Sequence, residues 1–405
     1  MSDALGLLQT KPTEPGLAAR NVALYVLSCA AFVVTFDTLL VSAVLPKIAR
    51  DLAIPEHALG WLAGSYAASF GLSAIVMAPL ADSLGRRNLL LVGGVLFAIA
   101  NALGGTAGSF HALLVYRLAA GVGAAMVMPG VWATVGSLFP PRAVMSAMSV
   151  VWAFISLSMI VGVPAASFLA GDSWKAMFFG TAGISLPLLV AFAFLPLGSE
   201  PPRGEPYLTQ FRRVLGHAGA LRSLLATFFW NLSLFSTFSL VGAFYFSRFA
   251  LNTRQIGLTM LVGGLGTFLG TLLARKLGAK LDRRVVVRGC ALACALLVAP
   301  FTLAFNLPVS LALQVLWSFV VGFGAGALSA IVSAQQPKAR GTLMSLNSAT
   351  LNAAVAVGGA LSGGLVELGH GGFVWVGVLS SVAAIAAAAV VPDAPGASPD
   401  TGAKA

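Results

Sequence analysis

Charged residues are scarce in this chain of 405 residues: Asp, Glu, Lys and Arg make up 9% of it, whereas soluble domains carry about 25%. A water-soluble fold of this size would not cover its surface with so few charges. The hydrophobic residues, 58% of the chain, are gathered in runs of about 20, the length of a helix that crosses a hydrocarbon core about 30 Å thick. The composition therefore excludes a soluble protein and predicts an integral membrane protein.

Cysteine and histidine are also rare, with three Cys and four His in the whole chain. All three cysteines, Cys29, Cys290 and Cys294, lie inside apolar runs, which argues against an extracellular disulfide framework. The histidines have no partner at metal-ligand spacing, and the Walker lysine that binds ATP phosphates is missing. We expect no enzymatic activity, no metal and no cofactor, and we expect an ion gradient to supply the energy.

The apolar runs lack the two-residue alternation of a transmembrane barrel, so they predict helices. The fold class is all-α, with twelve transmembrane helices in two six-helix bundles. The predicted spans are 22–46, 58–80, 88–108, 112–138, 145–170, 176–197, 222–248, 255–276, 285–305, 309–334, 342–367 and 372–391.

The formal net charge of +11 raises the question of nucleic acid. In the predicted topology most of the 24 Lys and Arg lie in short loops on one side of the membrane, which is the positive-inside pattern. This distribution disfavours nucleic acid as a partner and favours the lipid bilayer. It places both termini in the cytoplasm of a multi-pass protein of the bacterial inner membrane, and we expect a monomer.

The Pro-rich, charged stretch after the sixth span is the clearest linker. The predicted organisation is a cytoplasmic tail (1–21), an N-terminal bundle (22–197), a cytoplasmic linker (198–221), a C-terminal bundle (222–391) and a disordered tail (392–405). Within the linker, YLTQFRRVLGHAGAL fits either a short surface helix or a loop.

The two predicted bundles resemble each other in sequence. FPPRAVMSAMS follows the fourth span and QQPKARGTLMS follows the tenth, and four of their positions match at one constant offset. Two similar sets of six helices predict a parallel repeat. In transporters built from such repeats, the substrate site lies between the two halves near the membrane midplane.

One acid and one base lie deep in the apolar runs: Asp37 in the first span and Arg117 in the fourth. An ionised Asp at the bilayer centre costs roughly 2.5–3.5 kcal/mol, so such residues usually serve a function. The expected depths of the two residues allow contact, directly or through a polar residue or water. Together they predict a site for proton or cation coupling, and the alternative is a static structural pair.

The loop after the second span reads APLADSLGRR, and it resembles motif A of the major facilitator superfamily, G-x-L-a-D-r-x-G-r-k. The resemblance implies a cytoplasmic latch between helices that holds the outward-facing state, formed by Asp82, Gly85, Arg86 and Arg87. A purely topogenic role for these charges is the alternative.

Two further motifs resemble the twelve-span drug/proton antiporter branch of that superfamily. RLAAGVGAA (117–125) is similar to motif B and implies that Arg117 communicates with the proton site, with Gly121 and Gly123 in helix packing. IVGVPAAS (160–167) is similar to the antiporter motif C, and Gly162 and Pro164 carry the likeness. The Phe36-Asp37-Thr38 segment resembles the branch's signature in the first span.

The substrate-contact candidates combine aromatic rings with amides and a flexible thioether, a mixture that suits an amphipathic organic solute. They are Trp230, Asn231, Phe235, Met126 and Asn347. For each of them, packing against lipid or other helices is the competing interpretation.

The predicted function is export of small drug-like or amphipathic compounds in exchange for protons, by alternating access. A sugar or metabolite exporter of the same superfamily, possibly a uniporter, is the alternative within transport. The alternative from another class is a membrane receptor that binds ligand without moving it.

Overall fold

The computed structural model describes residues 16–53, 60–77, 85–169, 173–195, 207–251, 253–367 and 372–392. Within these ranges the regular secondary structure is helical, as predicted. The predicted tails before residue 16 and after residue 392, the linker up to residue 206, and Asp82 lie outside the described residues.

The first half of the chain supplies six long helices. They are α1 (Leu17–Asp51), α2 (Gly60–Met77), α3 (Arg86–Thr106), α4 (Phe110–Leu138), α5 (Val144–Leu169) and α6 (Lys175–Phe194). Each overlaps one predicted span, because the apolar runs that fill a membrane core also determine helix length. The exception in length is α1, which extends five residues beyond its predicted span of 22–46 at each end. At the start of α4, the Ser109 hydroxyl accepts a hydrogen bond from the Ala112 N–H at 3.3 Å, as an N-cap does.

The second half follows a short helix, α7 (Tyr207–Leu215), which lies in the predicted linker. Its helices are α8 (Ala218–Phe238), α9 (Val241–Phe249), α10 (Thr253–Leu277), α11 (Arg283–Leu303), α12 (Leu307–Gln335), α13 (Arg340–Glu367) and α14 (Gly372–Val390). Buried Gln210 of α7 accepts a hydrogen bond from the Thr342 hydroxyl at 2.9 Å. The linker helix is therefore attached to the start of α13.

The predicted seventh span, 222–248, is two helices rather than one. It breaks at Ser239 and Leu240, where the Leu240 N–H bonds to the Thr237 carbonyl in a tightened turn. The Ser236 hydroxyl donates to the Leu232 carbonyl just before the break. Such side-chain bonds compete with the helical backbone and bend helices, a property that hydropathy does not register.

Eleven helical segments within the described ranges are long and apolar enough to cross a membrane, with α8 and α9 taken as one, and α2 carries a shorter apolar stretch, Gly64–Met77. Many large apolar side chains point outward, among them Phe194, Leu296 and Phe305. A surface of this kind is covered by lipid rather than water. The all-α membrane fold is confirmed.

The helices pack mainly within their own half of the chain. In the first half, α4 contacts α2 and α3, α1 contacts α5, and α3 contacts α6. In the second half, α12 contacts α10 and α11, and α8 contacts α13 and α14. The halves meet where α5 packs on α10 and α12, and where α13 packs on α2 and α4.

Several contacts between the halves lie on the side of the molecule that carries the linker helix α7. This side includes the starts of α1 and α5 and the ends of α10 and α12, and we call it the linker side. The Trp152 indole N–H of α5 donates to the Ser329 hydroxyl of α12 at 3.0 Å. The Arg275 guanidinium of α10 donates to the Tyr25 hydroxyl of α1 at 3.0 Å. The two halves are thus joined at the linker side.

Candidate functional site

A buried ion pair joins α1 to α4. The Arg117 Nη1 donates to the Asp37 Oδ2 at 2.7 Å, and the exposed fractions of the two side chains are 2% and 0%. From the sequence, the depths of these two residues allowed contact either directly or through a polar residue or water, and the structure places them in direct contact. Because both charges are withdrawn from solvent, each depends on the other for stabilisation.

Tyr66 of α2 completes the environment of the pair. The Arg117 Cζ lies 4.2 Å from the centroid of the buried Tyr66 ring, which is a cation–π contact. The guanidinium therefore lies between a carboxylate and an aromatic face. Sequence reasoning missed Tyr66, although a tyrosine inside an apolar run, in a chain with only five tyrosines, was an available signal.

Three polar atoms of this cluster have no hydrogen-bond partner among the residues that the structure describes. They are the Asp37 Oδ1, the Arg117 Nε and the Tyr66 hydroxyl. Thr38 is the polar neighbour of that hydroxyl. The Thr38 hydroxyl donates its own proton to the Val34 carbonyl at 3.1 Å, and its oxygen can still accept from Tyr66. Buried polar groups are nearly always paired, so unpaired atoms such as the Asp37 Oδ1 are unusual. Because this oxygen has no partner among the described residues, it can accept a proton while the Oδ2 stays bonded to Arg117.

The glycines of the 117–125 segment bring three helices together. A β-carbon at Gly121 would lie 2.6 Å from the Tyr66 carbonyl oxygen, and one at Gly123 would lie 2.7 Å from the Phe97 backbone nitrogen. Both distances are too short for any side chain. Gly121 thus lets α4 approach α2 one helical turn from Arg117, and Gly123 lets α4 approach α3.

Gly162 and Pro164 lie in α5, which is helical through both positions. Their side-chain surroundings are outside what the structure describes, so their predicted part in helix packing stays a prediction.

The predicted latch is described only in part. Gly85 precedes α3 with a φ of 77°, a conformation that glycine adopts without strain. The Arg86 Nη1 donates to the Ser137 hydroxyl near the end of α4, while Arg87 is exposed. Arg86 therefore ties the linker-side ends of α3 and α4 together, and the contribution of Asp82 stays a prediction.

Asn231 and Asn347, two of the substrate candidates, are joined through Thr227. The Thr227 hydroxyl donates to the Asn347 Oδ1 at 2.7 Å, and the Asn231 Nδ2 donates to the Thr227 carbonyl at 2.8 Å. Both amides are buried. They form one polar cluster between α8 and α13.

The other three candidates lie in separate surroundings. Trp230 packs against α12, where its indole lies too close to Gly324 for a β-carbon to fit. Phe235 is half-buried and contacts Phe238 edge-on, with ring centroids 6.0 Å apart. Met126 packs against Leu89 of α3. The structure therefore brings the two amides together and places Met126 apart from them, in the other half.

Comparison with known proteins identifies the family. The model of the Major Facilitator Superfamily matches residues 27–336 and 224–405. The "Uncharacterized MFS-type transporter YceJ" of Bacillus subtilis is 31% identical over 339 residues, which cover 83% of this chain and 87% of that protein. The "Multidrug efflux pump LfrA" of Mycolicibacterium smegmatis is 31% identical over 188 residues, 46% of this chain and 37% of that pump.

Solved structures agree on the fold. The human organic anion transporter MFSD10 (TETRAN) superposes with a TM-score of 0.77 at 19% identity, covering 91% of this chain and 99% of that one. A match at this identity supports the fold alone. Together with the family model and the relative from Bacillus, it confirms the expectation of a transporter rather than an enzyme, and the chain belongs to the Major Facilitator Superfamily.

Proposed function

We propose that this transporter exports small drug-like or amphipathic organic compounds in exchange for protons. Asp37 binds the proton, Arg117 senses the charge of Asp37, and the Tyr66 ring stabilises Arg117. The observation that carries the proposal is the buried Asp37–Arg117 ion pair, in which one carboxylate oxygen has no partner among the described residues.

The cluster suits a reversible change of charge. With Asp37 ionised, the pair is neutral overall. When Asp37 takes up a proton, the guanidinium loses its counter-charge but keeps its contact with the Tyr66 ring, and a desolvated contact of this kind contributes about 2 kcal/mol. The aromatic face thus makes the protonated state less costly than it would be in a purely aliphatic pocket.

Protonation is coupled to transport through the helices that hold the pair. Asp37 and Arg117 join α1 to α4, and α4 also contacts α13 of the other half. A change in the attraction between α1 and α4 therefore reaches the interface that must rearrange during alternating access. The contacts of Trp152 and Arg275 support an arrangement in which the linker side is closed.

The cargo class rests on the candidate residues and on one relative. Trp230, Asn231, Phe235, Asn347 and Met126 offer aromatic, amide and thioether groups, which suit an amphipathic solute. LfrA, which is 31% identical to this chain over 188 residues, is by its name a multidrug efflux pump.

The proposed setting is the inner membrane of a bacterium, with the linker side and both termini in the cytoplasm and the protein acting as a monomer. The concentration of Lys and Arg in the predicted loops on that side supports this orientation.

The test is substrate-driven proton movement in proteoliposomes, followed with a pH-sensitive dye for lipophilic cations, phenicols and sugars. We expect flux with at least one amphipathic compound for the wild type, and loss of the proton signal for Asp37→Asn. Asp37→Glu, which keeps a carboxyl group, should retain part of the signal. Reconstituted amounts are equalised so that a poorly folded variant is not counted as inactive.

The matched control is Asp51→Asn in the same helix. Asp51 is exposed and accepts a hydrogen bond from the Trp174 indole at 2.9 Å, which an amide oxygen can also accept. Proton flux in this variant should equal that of the wild type. Full proton flux in Asp37→Asn would contradict the proposal, and cargo movement without protons in the wild type would make the protein a uniporter.

A further inference from the structure

A cavity lies between the two halves at the linker side, away from the Asp37 cluster. Its volume is about 240 Å³. Pro141 and Arg142, between α4 and α5, line it from the first half. Residues of the 278–284 segment, which runs from the end of α10 into the start of α11, line it from the second, with Lys280 as the exception. The end of α12 and Pro392 complete the wall. Both halves therefore contribute to one small cavity.

The lining is strongly basic. It contains Arg142, Arg283 and Arg284 and a single carboxylate, Asp282. The Asp282 Oδ1 already accepts a hydrogen bond from the Arg284 backbone N–H at 2.8 Å, where it caps α11. Within the described part of the chain the three guanidinium groups form no hydrogen bond and no ion pair within 4.0 Å, although the Asp282 carboxylate attracts Arg283 at longer range. The cavity thus has surplus positive charge and unused donors.

The cavity depends on close contact between the halves. Gly278 lies against α5, where an added β-carbon would be 3.0 Å from the Met145 Cγ and 3.0 Å from the Ser146 Oγ. This contact brings the 278–284 segment beside Arg142. If the halves parted at the linker side, Arg142 would separate from Arg283 and Arg284.

The dimensions and the donors indicate the ligand. Pockets for drug-sized molecules measure about 300–1,000 Å³, so this cavity is too small for the proposed cargo. Guanidinium groups match the oxygens of phosphate in a planar, bidentate geometry.

We propose that this cavity binds a phosphate group, either free or on a lipid headgroup, which bridges Arg142 of one half to Arg283 and Arg284 of the other. The bound anion stabilises the arrangement with the linker side closed, because an open linker side would lose one set of contacts. This site is independent of the proposed exchange of cargo for protons.

Binding is measured on the purified full-length protein, so the test does not depend on transport. In the first arm, titration calorimetry in detergent measures the affinity for inorganic phosphate and pyrophosphate. In the second arm, the protein is reconstituted in nanodiscs that contain both phosphatidylcholine and phosphatidylglycerol. Native mass spectrometry then measures how much phosphatidylglycerol stays bound to the protein. The variants are Arg142→Gln and Arg284→Gln. The matched control is Lys280→Gln, which removes one positive charge from an exposed residue of the same segment that does not line the cavity.

We expect binding to be weakened about tenfold or more in Arg142→Gln and Arg284→Gln, since each loses a charge-assisted contact, and unchanged in Lys280→Gln. Binding in the first arm assigns a free phosphate, and retention only in the second assigns a lipid headgroup. Thermal unfolding of each variant without ligand verifies that it is folded. Equal binding by all variants, or no binding in either arm, would overturn the proposal.

A distance measurement tests the bridging. Spin labels at Val22→Cys in α1 and Val285→Cys in α11, both exposed positions, report on the separation of the halves once Cys29, Cys290 and Cys294 are replaced. Inorganic phosphate, pyrophosphate or phosphatidylglycerol, whichever binds, should shift the distribution of label–label distances toward shorter values in the wild type and in Lys280→Gln but not in Arg142→Gln. Binding of one of these probes without a change in the distance distribution would contradict the bridging.

Discussion

Gly121 of α4 lies directly against the backbone of Tyr66 in α2, and no side chain fits between them. A β-carbon at position 121 would be 2.6 Å from the Tyr66 carbonyl oxygen and 3.2 Å from the Phe70 backbone nitrogen. The same two helices carry Arg117 and the aromatic ring that it contacts. The glycine therefore sets the distance across which the guanidinium meets the ring.

Substituting Gly121 with Ala should separate α2 from α4 and weaken the contact between Arg117 and Tyr66. Overpacking of a tight contact costs about 1–3 kcal/mol, so we expect a lower unfolding temperature and reduced substrate-driven proton flux. Gly183→Ala in α6 is the control, because an added β-carbon there meets nothing within 4 Å. Wild-type behaviour of Gly121→Ala would show that α2 and α4 adjust freely.

The Asp37–Arg117 pair should show strong coupling in a double-mutant cycle. Removing one partner of a buried pair leaves an uncompensated charge and costs roughly 3–5 kcal/mol, so Asp37→Asn and Arg117→Gln should each lower stability in thermal unfolding. The double variant, with two neutral amides, should recover part of that loss. Additive losses would mean that the residues act independently despite the 2.7 Å contact.

Tyr66 should act through its ring rather than its hydroxyl. Tyr66→Phe keeps the aromatic face that Arg117 contacts, and the hydroxyl, whose polar neighbour is Thr38, forms no hydrogen bond of ordinary geometry with the described residues. We expect near wild-type proton flux for Tyr66→Phe. Tyr66→Leu removes the cation–π contact, so it should lose stability by about 1–2 kcal/mol and most of the flux. Equal impairment in the two variants would assign the role to the hydroxyl.

Trp152 should help to keep the linker side closed. Trp152→Phe removes the N–H that donates to Ser329 across the two halves, and a hydrogen bond of this type contributes about 1 kcal/mol. The spin-label distance between positions 22 and 285 should shift toward longer values. Trp375→Phe, at a side chain that is 57% exposed, is the control and should leave the distribution unchanged. No shift in Trp152→Phe would exclude this bond as a determinant of closure.

Most of the helices could be predicted from the sequence because apolar runs separated by charged loops determine membrane helices closely. The α4 helix, predicted as 112–138, spans Phe110–Leu138. The break between α8 and α9 could not be predicted in this way, since it depends on hydroxyl side chains that bond to the backbone. The short linker helix α7 was one of two open alternatives, and buried Gln210 explains how it is attached to α13.

The charged residues of the candidate site could be predicted from the sequence, because charges are rare in the apolar runs. The aromatic and apolar residues of the site could not, because such residues are common throughout the spans. Asp37 and Arg117 stood out because they are charged residues deep in apolar runs. Tyr66 did not, because its importance depends on which face of α2 meets α4. The same limit applies to Met126, whose contact with α3 follows from helix rotation and not from residue type.

The pairing of Arg117 with Asp37 also has an electrical consequence. The two charges cancel while Asp37 is ionised, whereas protonation leaves the positive charge of Arg117 uncancelled inside the membrane. If the first half then rotates, that charge moves through part of the transmembrane field, where one elementary charge crossing 100 mV changes energy by about 2.3 kcal/mol. The membrane voltage would therefore favour one orientation of the protonated protein and have little effect on the deprotonated one.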